Sequence, residues 1–316
     1  MRVILVGYGE MLRALALGIM NSKHEIVGVL RQETVKTNIL FRIANDYLEP
    51  SDDYIFIKTH SLPEIYARSV NSNKFRNIIK KLNADVVVVG SWSEKFSVQT
   101  LNTLPNGFIN VHPSLLPKYR GPNPYMQVIL HDEPVSGITF HLMDVNYDTG
   151  AILHQKEIPV LRDDTGGSLR MRSCDTARNE IGFLLDNLKE RILNQRSQNE
   201  NDSSYWAQIP LRAAVIDFAN ENPDEINRRI RALSPWLKCY IPIKGEFFSF
   251  RSYQITKNKL RVPSGTIVNK VGKTISIVCK DSTIMKFSDL KINRPFSKQL
   301  SKIFWEKIIK INDRAV

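Results

Sequence analysis

Asp85-Val86-Val87-Val88-Val89 reads as a strand that is apolar on both faces. A strand of that kind is expected inside a parallel sheet covered on both sides. Working outward, Phe75, Ile78, Ile79 and Leu82 recur just upstream at helical spacing. Further back, the apolar helix-like stretch Met11–Met20 lies between two β-rich runs, Val3–Val6 and Ile26–Leu30. Downstream come Gly107–Val111, a helix-like stretch around Tyr125–Leu130, and a hairpin-like pair, Gly137–Met143 and Ala151–Ile158. Asp164–Thr165 can cap a long helix whose apolar positions include Leu169, Ile181, Leu184 and Leu188. Strand and helix alternating in this way predict an α/β domain over residues 1–193, with a doubly wound, Rossmann-like, mostly parallel sheet.

Gly7-Tyr8-Gly9 after the first strand invites a nicotinamide-dinucleotide reading, which two other positions oppose. The fingerprint needs a small residue where this chain has Leu12, and an acidic residue where Leu30 is followed by Arg31-Gln32. A tight strand-to-helix turn is the simpler reading.

Asn194–Ser204 (NQRSQNENDSS) is almost devoid of apolar side chains and reads as a linker, set at residues 194–205. Beyond it the pattern changes. Pro223-Asp224-Glu225 opens a short helix with Ile226, Ile230 and Leu233 on one face. About five short strands follow: Leu237–Ile243, Phe247–Ile255, Gly265–Val271, Thr274–Cys279 and Thr283–Ile292. Lys244-Gly245, Gly272-Lys273 and Asp281-Ser282 are the expected turns. Residues 206–316 are therefore expected to form a second, smaller all-β barrel of the oligonucleotide-binding type.

Charge divides the chain at the same place. Residues 206–316 hold 21 Lys+Arg against 9 Asp+Glu, so the whole net charge of +12 lies there. That asymmetry points to a polyanionic partner for the last third. The chain is 42% hydrophobic and 24% charged, as expected of a soluble globular protein, and no stretch approaches the length of a membrane span. Its N-terminus lacks the basic lead and cleavage site of a secretory signal. Cys174, Cys239 and Cys279 are far apart and form neither a disulfide framework nor a metal pair. A cytoplasmic protein without a metal is expected, and its oligomeric state is not encoded in any visible motif.

The chemistry is concentrated between Gly107 and Gly150. Asn110 and His112 leave the C-terminal end of a strand two residues apart, so they face the same side. Ligand sites form at that edge of an open parallel sheet. Pro113 and Pro117 bracket a stiff loop after the pair. An Asn can bond a carbonyl oxygen, a His can move a proton near neutral pH, and a carboxylate can orient the His. Asp148-Thr149-Gly150 supplies such a carboxylate, although alone it could be a turn. The other histidines, His24, His60, His131, His141 and His154, read as packing residues.

Together these residues resemble the 10-formyltetrahydrofolate-dependent formyltransferase family. The likeness rests on Asn110-Val111-His112, on Pro113-Ser114-Leu115-Leu116-Pro117-Lys118-Tyr119-Arg120-Gly121, and on Asp148, 36 residues after His112. It implies a catalytic triad of Asn110, His112 and Asp148, in which Asn110 and His112 stabilise an oxyanion and Asp148 orients His112. It implies 10-formyltetrahydrofolate as cosubstrate, held by Gly90, Ser91, Trp92, Ser93, Ser114, Leu115, Leu116, Pro117, Asp144 and Val145. Arg231-Ala232-Leu233-Ser234-Pro235-Trp236 is similar to the element that opens the second domain of methionyl-tRNA formyltransferases. The likeness spans about residues 80–290.

The resemblance implies methionyl-tRNA as the acceptor, gripped in those enzymes by a basic second domain, and the charge of residues 206–316 suits that role. Arg120, Arg228, Arg229, Arg231 and Lys238 are the candidate acceptor contacts, with Lys257, Lys259 and Arg261 beside them. Arg31–His60 departs from the tRNA enzymes, which carry a basic, glycine-rich insertion there, because it contains no glycine and its charges are mixed. A nucleotide-linked amino sugar is the alternative acceptor. A catalytically silent RNA-binding homologue is a third reading, which the intact triad opposes.

Overall fold

The computed structural model describes residues 1–32, 46, 48–292 and 309–315. Much of Arg31–His60, at residues 33–45 and 47, lies outside the described residues. The chain forms two compact units: residues 1–128, 133–161 and 168–207, and residues 129–132, 162–167 and 208–316.

The first unit is built on a six-stranded sheet. Its strands are β1 (Arg2–Gly7), β2 (Glu25–Arg31), β3 (Val86–Gly90), β4 (Phe108–His112), β5 (Val135–Leu142) and β6 (Ile152–Pro159). They lie in the order β2-β1-β3-β4-β5-β6. The first four are parallel, and β5 and β6 add an antiparallel hairpin. Its helices are α1 (Gly9–Met20), α2 (Asp52–Thr59), α3 (Asn73–Lys81), α4 (Val98–Leu101), most of α5 (Pro124–Leu130), most of α6 (Gly166–Asp186) and α7 (Leu188–Leu193).

The valine run explains the two layers. Val86 and Val88 face a core shared with Leu12 and Leu15 of α1 and Ile181 and Leu184 of α6. Val87 and Val89 face the opposite core, with Phe75 and Ile79 of α3, Phe96 and Phe108. Each valine is fully buried, worth on the order of 1.5–3 kcal/mol relative to exposure. β1 and β3 end in facing glycines: a Cβ on Gly7 would lie 2.1 Å from the Gly90 carbonyl oxygen. Strand order reverses around β1, and this edge is where β4 also ends.

The Gly7-Tyr8-Gly9 turn is closed by the protein itself. Asp53 accepts from the Gly9 N–H at 2.7 Å and pairs with Arg13 at 2.6 Å. Its carboxylate therefore occupies the α1 N-terminus, where a dinucleotide would need to place its phosphates. Arg31, at the end of β2, is fully buried with Asp46 and Glu64.

The second unit opens with α8 (Pro223–Leu233), whose start is fixed by a capping box between Asn222 and Glu225. Its strands are β7 (Ile241–Ile243), β8 (Glu246–Ser249), β9 (Ser252–Lys259), β10 (Ile267–Val271), β11 (Thr274–Val278), β12 (Thr283–Ser288) and β13 (Lys291–Ile292). They form two antiparallel sheets, β10-β11-β12-β9 and β13-β8-β7. Lys244-Gly245 and Gly272-Lys273 make two-residue hairpin turns. Two expected strands are each broken in two. Phe247–Ile255 divides at Phe250-Arg251, and Thr283–Ile292 divides at Asp289, which takes the left-handed conformation (φ 56°). The halves change sheets together, β9 with β12 and β8 with β13. Phe250 packs at the corner, with ring centroids 4.9 Å from Phe287 and 6.1 Å from Tyr253.

Candidate active site

β4 delivers Asn110 and His112 to one side, as the two-residue period requires. β5 runs antiparallel beside it and pairs Asn110 with His141 and His112 with Thr139. The turn between β5 and β6 then returns Asp148 to the same place. Asp148 holds φ 59°, and Gly150 is packed so closely that a Cβ would lie 1.7 Å from the Leu142 carbonyl oxygen.

Asp148 is the hub. Its Oδ1 lies 3.2 Å from Asn110 Nδ2, 3.4 Å from His112 Nδ1 and 3.8 Å from His141 Nε2. Its Oδ2 accepts the Gly121 N–H at 2.9 Å. Asn110 Nδ2 also reaches His141 Nε2 at 3.1 Å. The side chains of Asp148, His112 and His141 are 11%, 6% and 2% exposed, so water screens these contacts little. Burial opposes ionisation of Asp148, but His112, His141 and the Gly121 N–H outweigh it and hold the carboxyl below the usual carboxylate range.

Two carbonyls fix the histidine tautomers. His112 Nε2 lies 2.8 Å from the Tyr119 carbonyl oxygen and His141 Nδ1 lies 2.8 Å from that of Leu142. A carbonyl only accepts, so each of these ring nitrogens carries a hydrogen. His141 then presents a lone pair to Asn110. His112 presents Nδ1 to Asp148, and a proton taken up there lies against the carboxylate. The arrangement can exchange one proton at His112, and Asn110 can hold a carbonyl oxygen once one of its two N–H groups turns from Asp148 or His141.

The structure brings Asn110, His112 and Asp148 together, and it adds His141, which the sequence reading left as a packing residue. His141 belongs to the cluster through its register opposite Asn110, and only the alternation of a β-hairpin beside β4 could have signalled it. The expected folate-side residues differ among themselves. Gly90 is packed against Met11 and Leu15, while Ser114 and Leu116 are buried and hold the loop with Lys118, Thr139 and Gln155. Leu115 and Pro117 are half-buried in the same loop. Asp144 accepts from Thr149 and Asn146 within its own turn. Ser91 and Trp92 are half-buried, Ser93 and Val145 are exposed, and Tyr147 Oη donates to the Ser93 carbonyl at 2.8 Å, joining the two loops.

Most of the expected acceptor cations are engaged internally. Arg120 is buried and donates to Gln198 and Glu200. Arg228 pairs with Asp132 at 3.3 Å, Arg229 bonds Glu221 and the Ala213 carbonyl, and Arg231 donates to the Asp164 carbonyl. Lys238, Lys257, Lys259 and Arg261 are exposed.

Residues 1–181 match the family model for formyl transferase, and residues 208–295 match that for the formyl transferase C-terminal domain. The chain belongs to the formyl transferase family. The match starts at the first residue, so the likeness reaches further than the motifs alone carried it. A methionyl-tRNA formyltransferase of Blochmanniella floridana is 30% identical over 246 residues, 76% of this chain and 72% of that protein. Among solved structures, the sugar 3N-formyl transferase WlaRD, crystallised with dTDP and 5-N-formyl-THF, superposes with a TM-score of 0.64 at 17% identity. That match covers 94% of this chain and 99% of WlaRD. HypX from Aquifex aeolicus superposes with a TM-score of 0.63 at 12% identity, over 98% of this chain. The formyl transferase chain spans about half of HypX, 48% of its length. No helix among the described residues is long and apolar enough to cross a membrane.

Proposed function

We propose that this chain transfers a formyl group from 10-formyltetrahydrofolate to a primary amine, and that the amine is that of methionyl-tRNA. The observation that carries the chemistry is the convergence of Asn110 and His112 on Asp148. The folate supplies the formyl group. Two features suit a flat heteroaromatic ring: the buried Trp92 indole N–H has no partner among the described residues, and Val145 and Tyr147 are exposed in the Asp148 loop. Both Asn110 N–H groups are engaged in the hub, so Asn110 would hold the formyl oxygen by turning one of them from His141 or Asp148 to that oxygen as it gains negative charge, a contact worth about 3–4 kcal/mol per donor in comparable sites. His112 would take one proton from the attacking neutral amine at Nδ1, with Asp148 stabilising the resulting cation, and return it to the departing nitrogen. The Tyr119 carbonyl keeps the ring oriented throughout.

Support for tRNA comes from the second unit and from the named relative. The excess charge of +12 falls in residues 206–316, where Lys238, Lys257, Lys259 and Arg261 are exposed and able to meet phosphates. The second reading, a nucleotide-linked amino sugar, is favoured by the mixed-charge Arg31–His60 segment and by the internal engagement of Arg228, Arg229 and Arg231. Incubation with 10-formyltetrahydrofolate and either methionyl-tRNA or a panel of nucleotide-linked amino sugars separates the two. The tRNA reading expects formylmethionyl-tRNA, with binding that weakens by a log–log slope of about 0.7–0.9 per phosphate neutralised as salt rises. Charge reversal at Lys238, Lys257 and Lys259 should reduce that slope. Salt-independent formylation of an amino sugar alone would reject it.

A further inference from the structure

The polar segment that follows α7 is bonded to the first unit along its length. Arg196 exchanges two backbone bonds with Ile152, at 2.8 and 3.0 Å. Farther on, the Arg120 N–H donates to the Ser204 carbonyl at 2.8 Å and the Trp206 N–H donates to the Arg120 carbonyl at 3.0 Å. Ser204 Oγ accepts the Tyr119 N–H at 2.8 Å. The segment thus pairs with the loop whose Tyr119 carbonyl orients His112 and whose Gly121 N–H bonds Asp148.

Gln198 stands where the two meet. Its side-chain nitrogen donates to the carbonyls of Asp148 and Gly150, both at 2.8 Å. Its side-chain oxygen accepts from Arg120 Nε and Nη2 at 3.0 and 2.8 Å. One planar amide therefore ties the turn that carries Asp148 to the loop that carries the partners of His112 and Asp148. Asp148 itself sits in the left-handed conformation, φ 59°, so the tie acts on a turn of defined backbone shape. Arg120 is itself fixed: Glu200 accepts from its Nη1 and Nη2 at 2.9 and 2.7 Å. A guanidinium held so by Gln198 and Glu200 is an internal anchor rather than a contact for an acceptor.

We infer that Gln198 is a positioning residue for formyl transfer, holding Asp148 against His112 by bonding the Asp148 turn to the Arg120 loop. The inference rests on the Asn110–His112–Asp148 site proposed above. Full-length wild type, Gln198→Ala, Gln198→Glu and Asn199→Ala are compared with 10-formyltetrahydrofolate and whichever amine the wild type accepts. Gln198→Ala should lower kcat about 10- to 100-fold, the scale expected when a reacting group is displaced by about 1 Å, with both KM values within about twofold. Gln198→Glu keeps the acceptor for Arg120 but offers no N–H to the two carbonyls, and should lose as much. Asn199→Ala should behave as wild type, because among the described residues that side chain bonds Asn201 and Asp202 and neither Asp148 nor the Arg120 loop. In an Asp148→Asn background, Gln198→Ala should add less than about a twofold further loss, since what it positions is already gone. A full kcat in Gln198→Ala beside a slow Asp148→Asn overturns the inference while leaving the site intact, and so does an independent, multiplicative loss in the double variant. Full activity in Asp148→Asn overturns the site reading and this inference with it.

Discussion

Two aspartates answer backbone N–H groups beside the strand ends of the same sheet. Asp53 accepts from Gly9 at 2.7 Å and pairs with Arg13, while Asp148 accepts from Gly121 at 2.9 Å and faces His112. Both carboxylates are nearly buried, at 5% and 11% exposure. What separates them is the partner. An arginine keeps its proton at any accessible pH, so Asp53 and Arg13 form a fixed cap that closes the α1 N-terminus. A histidine ring nitrogen can pass a proton, and the proposed chemistry uses Asp148 and His112 in that way. One carboxylate closes a helix end; the other is the one the proposed chemistry uses.

The comparison breaks most visibly in turnover. His112→Ala or Asp148→Asn should each lower formyl transfer by about a hundredfold or more while the protein stays folded. Near-normal rates in both would place the chemistry elsewhere. Asp53→Ala should do the reverse: it removes a cap and leaves Arg13, among the described residues, only the exposed Asp52, 4.0 Å away, costing about 1–3 kcal/mol in denaturant unfolding, with kcat nearly unchanged. A large loss of kcat at unchanged stability would erase the distinction between the two aspartates. The smallest effect concerns acid. Because the folded Asp148 carboxyl titrates below its unfolded value of about 3.9, the stability it contributes is present above about pH 4 and is lost as pH falls further. Wild type should therefore lose more stability than Asp148→Asn between about pH 4 and 2. Parallel curves would mean that Asp148 is not held as its neighbours suggest.

The sequence made the scaffold legible wherever one pattern had one meaning. Four consecutive valines could only serve a strand buried on both faces, and Asn110 and His112 had to share a side because strands repeat every two residues. The 36-residue interval located Asp148 through a family resemblance, not through local chemistry. His141 was hidden because its place depends on which residue of β4 it faces across the hairpin, a register that composition does not carry. Gln198 was hidden because a polar stretch reads as a linker whether or not its side chains are bonded. The corner at Phe250 and Asp289 continued a strand-like pattern on either side, so only the exchange of sheets reveals it. Arg228, Arg229 and Arg231 show the limit of counting charge. Their number was plain, but Asp132, Glu221 and the carbonyls of Ala213 and Asp164 that answer them lie between 8 and 96 residues away.

The most direct test of the central claim is the steady-state rate of formyl transfer from 10-formyltetrahydrofolate by wild type and by Asp148→Asn. The methionyl-tRNA and amino-sugar acceptors are assayed in parallel, and folding is checked by thermal unfolding. The expected result is formylated amine from the wild type and a rate lower by about a hundredfold or more from a folded Asp148→Asn protein. No formyl transfer to any amine by the wild type, or transfer undiminished in the variant, would contradict it.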